Sequence, residues 1–302
     1  MRKDIEFPAT DGTILRGWHY LPDGRSGKQS TIVMAHGFSA VKEMYLDKYA
    51  EAFAHAGFAS VVYDNRNFGA SDGLPRQEID PWLQVRDYSD AITFAQGLGE
   101  TDPERIGVWG SSYSGGHVLV VAAIDRRVKC VVSQVPAISG SQGFRRLVRA
   151  DFIAGLQAQF AEDRLNRAAG KPPAMIPVID ENPAAASALP TADSYKWFSE
   201  THKSSAPSWR NEVTLRTLEY GFGYEPGAYI GSISPTPLLL IVAANDHLAA
   251  SDLAIKAYEQ AYEPKKLLLL PGGHFDAYVE KFDQSCQPAC EWFATHLMAA
   301  KL

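Results

Sequence analysis

A short run with the pattern of a buried strand, Arg105–Trp109, is joined to a strongly apolar run, Tyr113–Ile124, by only Gly110-Ser111-Ser112. The first has strand length and the second helix length, so the chain must turn sharply from one into the other. A strand leading straight into a helix is the repeating unit of a parallel sheet covered on both faces. The same alternation runs through most of the sequence. Strands are expected at Ser30–Met34, Phe58–Tyr63, Val128–Val135, Pro237–Ala243 and Lys265–Leu270, and helices at Lys42–Ala56, Trp82–Gln96, Ser251–Tyr262 and Gln284–Met298. Glu6–Pro8 and Ile14–Tyr20 flank Asp11-Gly12, a hairpin signal that adds antiparallel strands at one edge. The predicted fold class is therefore α/β, a mostly parallel eight-stranded sheet flanked by helices.

One stretch breaks the rhythm. Residues 136–235 hold a helical part (Gly143–Ala169), a part rich in Pro and Ala (Lys171–Pro190) and then many aromatics. So long a segment far exceeds an ordinary connection. It predicts an inserted, mainly helical cap at 136–235 on a core made of 1–135 and 236–302. Most of the cap's aromatics should form a small core of its own, with Trp197, Trp209 and Tyr224 as candidates for substrate contact.

The chain has 302 residues, 46% of them hydrophobic, and a formal net charge of −6. Such a chain can bury a large core. Its acidic balance offers no electrostatic footprint for nucleic acid or an anionic membrane. The densest basic cluster, Arg145, Arg146 and Arg149, is short and reads as a solvated helix face. The longest apolar runs, Val118–Ile124 and Leu238–Ala244, fall far below the roughly 18 residues of a membrane span. The charged amino terminus lacks the apolar core of a signal peptide, and the expected location is the cytoplasm. Cys130, Cys286 and Cys290 suit that compartment as buried or half-buried thiols and are too few to hold a metal. No cofactor is expected, because the sequence carries no His-Glu-x-x-His, no phosphate-binding Gly-x-x-x-x-Gly-Lys and no Rossmann glycine run.

Chemistry concentrates at Gly110-Ser111-Ser112-Tyr113-Ser114-Gly115-Gly116. A serine on a strand-to-helix turn is lifted off the sheet, and small residues two before and two after it let the neighbouring backbones approach. Ser112 meets that spacing with Gly110 and Ser114, the latter a small residue where glycine is usual. A serine hydroxyl needs a base. His274, in Pro271-Gly272-Gly273-His274-Phe275 just past a strand end, is the best placed of eight histidines, with His247 as its rival and His36 read as structural. The base needs an acid to fix its tautomer. Asp246 follows the strand Pro237–Ala243, and Asp252 is the runner-up in the first turn of the next helix. The backbone N–H groups of Phe38, in His36-Gly37-Phe38, and of Tyr113 are the candidate oxyanion hole.

These motifs resemble the α/β-hydrolase superfamily over essentially the whole chain. The likeness rests on His36-Gly37-Phe38, on the Asp64–Gly73 loop, on Asp102–Gly107, on the serine turn, and on Asp246 and Gly273-His274. Within the superfamily the chain looks like the dienelactone-hydrolase-like and peptidase-like branch. More closely it resembles hydrolases and polyketide acyl transferases of fungal secondary-metabolite pathways, through Asn211–Arg216, Tyr224-Glu225-Pro226 and Pro235-Thr236-Pro237-Leu238. The resemblance implies an α/β-hydrolase fold and cleavage of a carboxylic ester or thioester through an acyl group on Ser112, with His274 as base and Asp246 as its partner. The implied partner is a small-molecule ester or thioester with an apolar acyl or aryl group, not nucleic acid or membrane, and a homodimer stays open. An acyl transferase with the same triad, a peptidase, and a non-catalytic binding protein on the same fold are the alternatives.

Overall fold

The computed structural model describes residues 1–24, 27–182 and 184–298, so residues 299–302 of the second core segment lie outside the described residues. The hairpin forms as expected, β1 (Arg2–Pro8) against β2 (Ile14–Tyr20), with Pro8 opposite Ile14. The alternation follows: β3 (Gln29–Ala35), α1 (Leu46–His55), β4 (Ala59–Tyr63), α2 (Pro81–Gly97), β5 (Thr101–Ser111), α3 (Tyr113–Ile124) and β6 (Val128–Gln134). The inserted segment then carries α4 (Gly140–Leu147), α5 (Ala150–Ala168), β7 (Met175–Ile176), α6 (Ala192–Ser204), β8 (Val213–Thr214) and α7 (Leu215–Phe222). The chain returns to β9 (Leu238–Ala243), α8 (Ser251–Gln260), β10 (Lys265–Leu270) and α9 (Phe282–Leu297).

The main sheet has eight strands in the order β1-β2-β4-β3-β5-β6-β9-β10. β2 runs antiparallel to β1 and β4, and every other neighbouring pair is parallel. Side-chain alternation explains why both faces are covered. In β3, which is buried throughout, Ile32 and Met34 join Trp109, Val132 and Ile241 on one face, beneath Tyr49 and Phe53 of α1 and Phe293 of α9. Val33 and Ala35 join Val108, Val131 and Leu240 on the other, beneath Tyr88 of α2, Leu119 of α3 and Leu253 of α8. Each buried Val, Leu, Ile, Met or Phe among them contributes roughly 1.5–3 kcal/mol by leaving water. From β3 the chain passes through α1 to β4 on one side, and from β4 it returns through α2 past β3 to β5 on the other. That reversal opens a crevice at the carboxyl ends of β3 and β5, where sites form in sheets of this kind. Pairing of Ala35 with Gly110 sets the two strand ends side by side.

Two elements differ from the sequence pattern. α1 starts at Leu46 and not at Lys42. Tyr45 has a left-handed φ of 71°, and the Lys42 amide and ammonium are drawn to the Asp64 carboxylate at 2.8 and 2.7 Å. The expected helix Gly143–Ala169 is two helices, broken at the extended residues Val148 and Arg149. Phe144 stacks on Phe222 at 3.9 Å between centroids, and Phe160 meets the same ring edge-on at 6.0 Å. In one straight helix those two phenylalanines would stand about 24 Å apart, so reaching a common ring requires the break.

Aromatics of the inserted segment pack on one another as foreseen, Trp197 on Phe198, Phe198 on Trp209 and Phe144 on Phe222, but this core is continuous with that of the sheet. Trp197, Phe198 and Trp209 belong to the cluster containing Met34 and Trp109, whereas Tyr224 and Ile230 belong to the cluster on the opposite face. Among the described residues no helix is long and apolar enough to cross a membrane.

Candidate active site

Ser112 lies at the junction of β5 and α3 with φ 60° and ψ −119°, a conformation that costs a non-glycine residue roughly 1–3 kcal/mol. Its surroundings impose it. The Ser112 amide donates to the Gln134 carbonyl at 2.9 Å, and its own carbonyl accepts from the Ala137 amide at 3.0 Å and the Gly116 amide at 3.2 Å. A Cβ on Gly110 would come within 2.2 Å of the Ser114 carbonyl oxygen, so no side chain fits there. Ser114 is fully buried, with its hydroxyl 3.3 Å from the Tyr88 hydroxyl, which is how a serine is accommodated where glycine is usual.

His274 opens a short 3-10 turn after β10 and is 1% exposed. Its Nε2 is 3.0 Å from Ser112 Oγ, and its Nδ1 is 2.7 Å from Asp246 Oδ2. The other Asp246 oxygen accepts from the amides of Leu248 and Ala249 at 2.9 and 2.7 Å. A carboxylate so placed requires the imidazole proton on Nδ1, which leaves Nε2 free to accept from the serine hydroxyl. The rivals stand elsewhere. His247 is exposed, and Asp252 pairs bidentately with Arg146 on α4.

Gly37 brings the loop after β3 against Ser112: a Cβ there would lie 2.9 Å from Ser112 Cβ. Buried His36 donates from Nδ1 to the Gly37 carbonyl at 2.9 Å and accepts from the Asn65 amide at 2.9 Å. Burial lowers the pKa of this ring and keeps it neutral. Holding that carbonyl also fixes the Phe38 amide, since carbonyl and N–H point opposite ways across a trans peptide. The Phe38 and Tyr113 rings meet edge to face at 5.7 Å.

Two cavities meet at Ser112. The larger, about 730 Å³, is lined by Phe38, Tyr113, Phe144 and Leu218 and by Phe152, Leu156 and Gln159 of α5. The smaller, about 30 Å³, is lined by His274, Phe275, Tyr278, Met44 and Trp197. Of the three cap aromatics singled out in the sequence, Trp197 alone lines either of these two cavities. Trp209 stacks on Phe198 at 5.2 Å and lines neither cavity. Tyr224 lines neither as well: it is 1% exposed and its hydroxyl donates to His117 Nδ1 at 2.8 Å. Both stand away from these two cavities, unlike the sequence expectation, because ring-on-ring packing takes up their faces. Sequence reasoning missed the α5 face. Its spacing of Phe152, Leu156 and Gln159 was the available signal.

The basic cluster is solvated as expected, with Arg145, Arg146 and Arg149 all exposed and two of them in surface ion pairs. Arg146 pairs with Asp252, and Arg149, at the wall of the large cavity, pairs with Asp151 at 2.7 Å.

Comparison with known proteins agrees with this architecture. A thiohydrolase of Eupenicillium brefeldianum is 33% identical over 279 residues, covering 91% of this chain and 88% of that protein. A polyketide transferase of Stachybotrys chlorohalonatus is 33% identical over 285 residues, covering 91% and 90%. The crystal structure of the alpha/beta hydrolase GrgF from Penicillium sp. sh18 superposes with a TM-score of 0.87 at 25% identity, covering 98% of this chain and 99% of that one. The profile of the family described as X-Pro dipeptidyl-peptidase (S15 family) matches residues 11–276. The chain belongs to that family, one of hydrolases and acyl transferases on the α/β-hydrolase fold.

Proposed function

We propose that this protein is a serine hydrolase that cleaves an apolar acyl thioester or ester through an acyl-enzyme on Ser112. The observation that carries the reading is the relay from Ser112 Oγ to His274 Nε2 at 3.0 Å and from His274 Nδ1 to Asp246 at 2.7 Å. It stands at the edge of a cavity of about 730 Å³ whose walls are largely apolar. In this reading Ser112 attacks the acyl carbonyl as His274 takes its proton, and the Phe38 and Tyr113 amides hold the oxyanion. His274 then protonates the departing thiol or alcohol, and water, activated by the same nitrogen, releases the acid. Residues 136–235 act as a cap that selects the acyl group, with α4 and α5 as one wall of the large cavity.

The name thiohydrolase among the relatives supports a thioester as substrate. Relatives named polyketide transferase favour a second reading, in which the acyl group passes from Ser112 to an acceptor alcohol. Ser112→Ala should lower thioester turnover by roughly 10⁴–10⁶ with the unfolding transition unchanged. Turnover within a few-fold of the parent protein would overturn the proposal.

A further inference from the structure

Ser112 stands between two unequal cavities, and His274 lines only the smaller. That crevice holds about 30 Å³, and one water needs roughly 10–15 Å³ of such space. It therefore takes about two waters, or the narrow end of an unbranched chain, but no ring. Trp197 lines it, 8% exposed, stacked on Phe275 at 4.8 Å and against Tyr278 at 5.4 Å. These partners hold the indole from several sides and keep the crevice narrow.

The group that attacks the acyl-enzyme must give its proton to His274 Nε2, so it has to arrive within roughly 2.6–3.2 Å of that nitrogen. We propose that the small crevice is the acceptor side of the reaction, that the acyl group lies in the large cavity, and that Trp197 favours water by excluding bulkier acceptors. The inference rests on the acyl-enzyme reading above and deepens it. In the step concerned the water oxygen bonds to the acyl carbon and its proton passes to His274 Nε2. The bond from that carbon to Ser112 Oγ then breaks, Oγ recovers the proton from His274, and a carboxylic acid leaves. With a primary alcohol in place of water the same transfers yield an ester. The donor's thiol is protonated by the same nitrogen, so its sulfur and first atoms pass through the same narrow space as a linear chain.

The test compares the parent protein with Trp197→Ala and Trp197→Phe on short- and long-chain acyl thioesters of N-acetylcysteamine, with benzyl alcohol added. Thiol release, acid and benzyl ester are measured separately. The ester-to-acid ratio should rise by roughly 10-fold or more in Trp197→Ala and less in Trp197→Phe, the scale on which pocket size discriminates. The ratio of rates on short and long acyl chains should hold within about two-fold, since that choice is made in the other cavity. An unchanged ester-to-acid ratio would overturn the assignment. So would a swing in chain-length preference, which would make the crevice an acyl subsite. If Trp197→Ala does not fold, the Trp197→Phe ratio decides. Thiol release that persists in Ser112→Ala would instead remove the underlying reading, so the two failures are distinguishable.

Discussion

Two acids lie close together in sequence and have opposite surroundings. Asp246 is 5% exposed and divides its carboxylate between His274 and two amides, whereas Asp252 is half exposed and faces Arg146 and Lys256. Asp246→Asn should therefore cost roughly 10⁴ in rate by disturbing the His274 tautomer and the imidazolium. Asp252→Asn should cost no more than about 1 kcal/mol of stability, as exposed ion pairs do, and leave the rate nearly unchanged. Steady-state kinetics of both variants checks this, and a damaging Asp252→Asn beside a silent Asp246→Asn would reverse the roles. His117 gives a second prediction. Enclosed between Tyr224 and Gln84, its pKa is pushed down to about 3 because burial disfavours the imidazolium. Between about pH 6.5 and 3 the unfolded chain binds a proton there that the folded chain refuses. The stability linked to this ring is complete above about pH 6.5 and is lost as the pH falls toward 3, at up to about 1.4 kcal/mol per pH unit. Urea unfolding at pH 7 and pH 4.5 should show a smaller loss for His117→Gln than for the parent protein, and equal losses would place the acid sensitivity elsewhere. At this scale the convergence of Ser112, Asp246 and His274 was legible because strand ends and small-residue spacing mark them. That Trp209 and Tyr224 line neither cavity was not legible, because composition says that a residue is aromatic, not which partner its ring faces.

Among the elements, α3 and α5 are opposites. α3 buries ten of its twelve residues, from Ser114 to Ala123, and its boundaries were read from its apolar run as Tyr113–Ile124. α5 buries only Phe160 and Asp163 of nineteen, and α4 buries none. Few buried contacts imply low-energy local opening. In amide hydrogen exchange, α5 should therefore exchange at least roughly 100-fold faster than α3. Equal protection would mean that the wall of the large cavity is as firmly held as the central helix. The break between α4 and α5 was not legible, because it arises from two phenylalanines converging on Phe222 across the insertion. β7 and β8 were missed for a similar reason. Each is two residues long and exists only through pairing with the other, Met175 with Thr214 and Ile176 with Val213.

For the molecule as a whole, the sequence carried the eight strands of the main sheet and its parallel character, since Ile32–Ala35 of β3 and all of β9 are apolar runs that can only be buried on both faces. The strand order was not written there: it follows from crossovers that place β4 and β5 on opposite sides of β3. That order brings the Gly37 loop against Ser112, and the loops after β9 and β10 then present Asp246 and His274 to it. The central claim, that this architecture carries an acyl group on Ser112, is tested most directly by mass spectrometry. The protein is quenched in acid during turnover of a slowly released acyl thioester, and its peptides are mapped. The account predicts an added acyl mass on the peptide containing Ser112 and none in Ser112→Ala. An adduct on another residue, or turnover with no adduct on any peptide at times when thiol release runs ahead of acid, would contradict it.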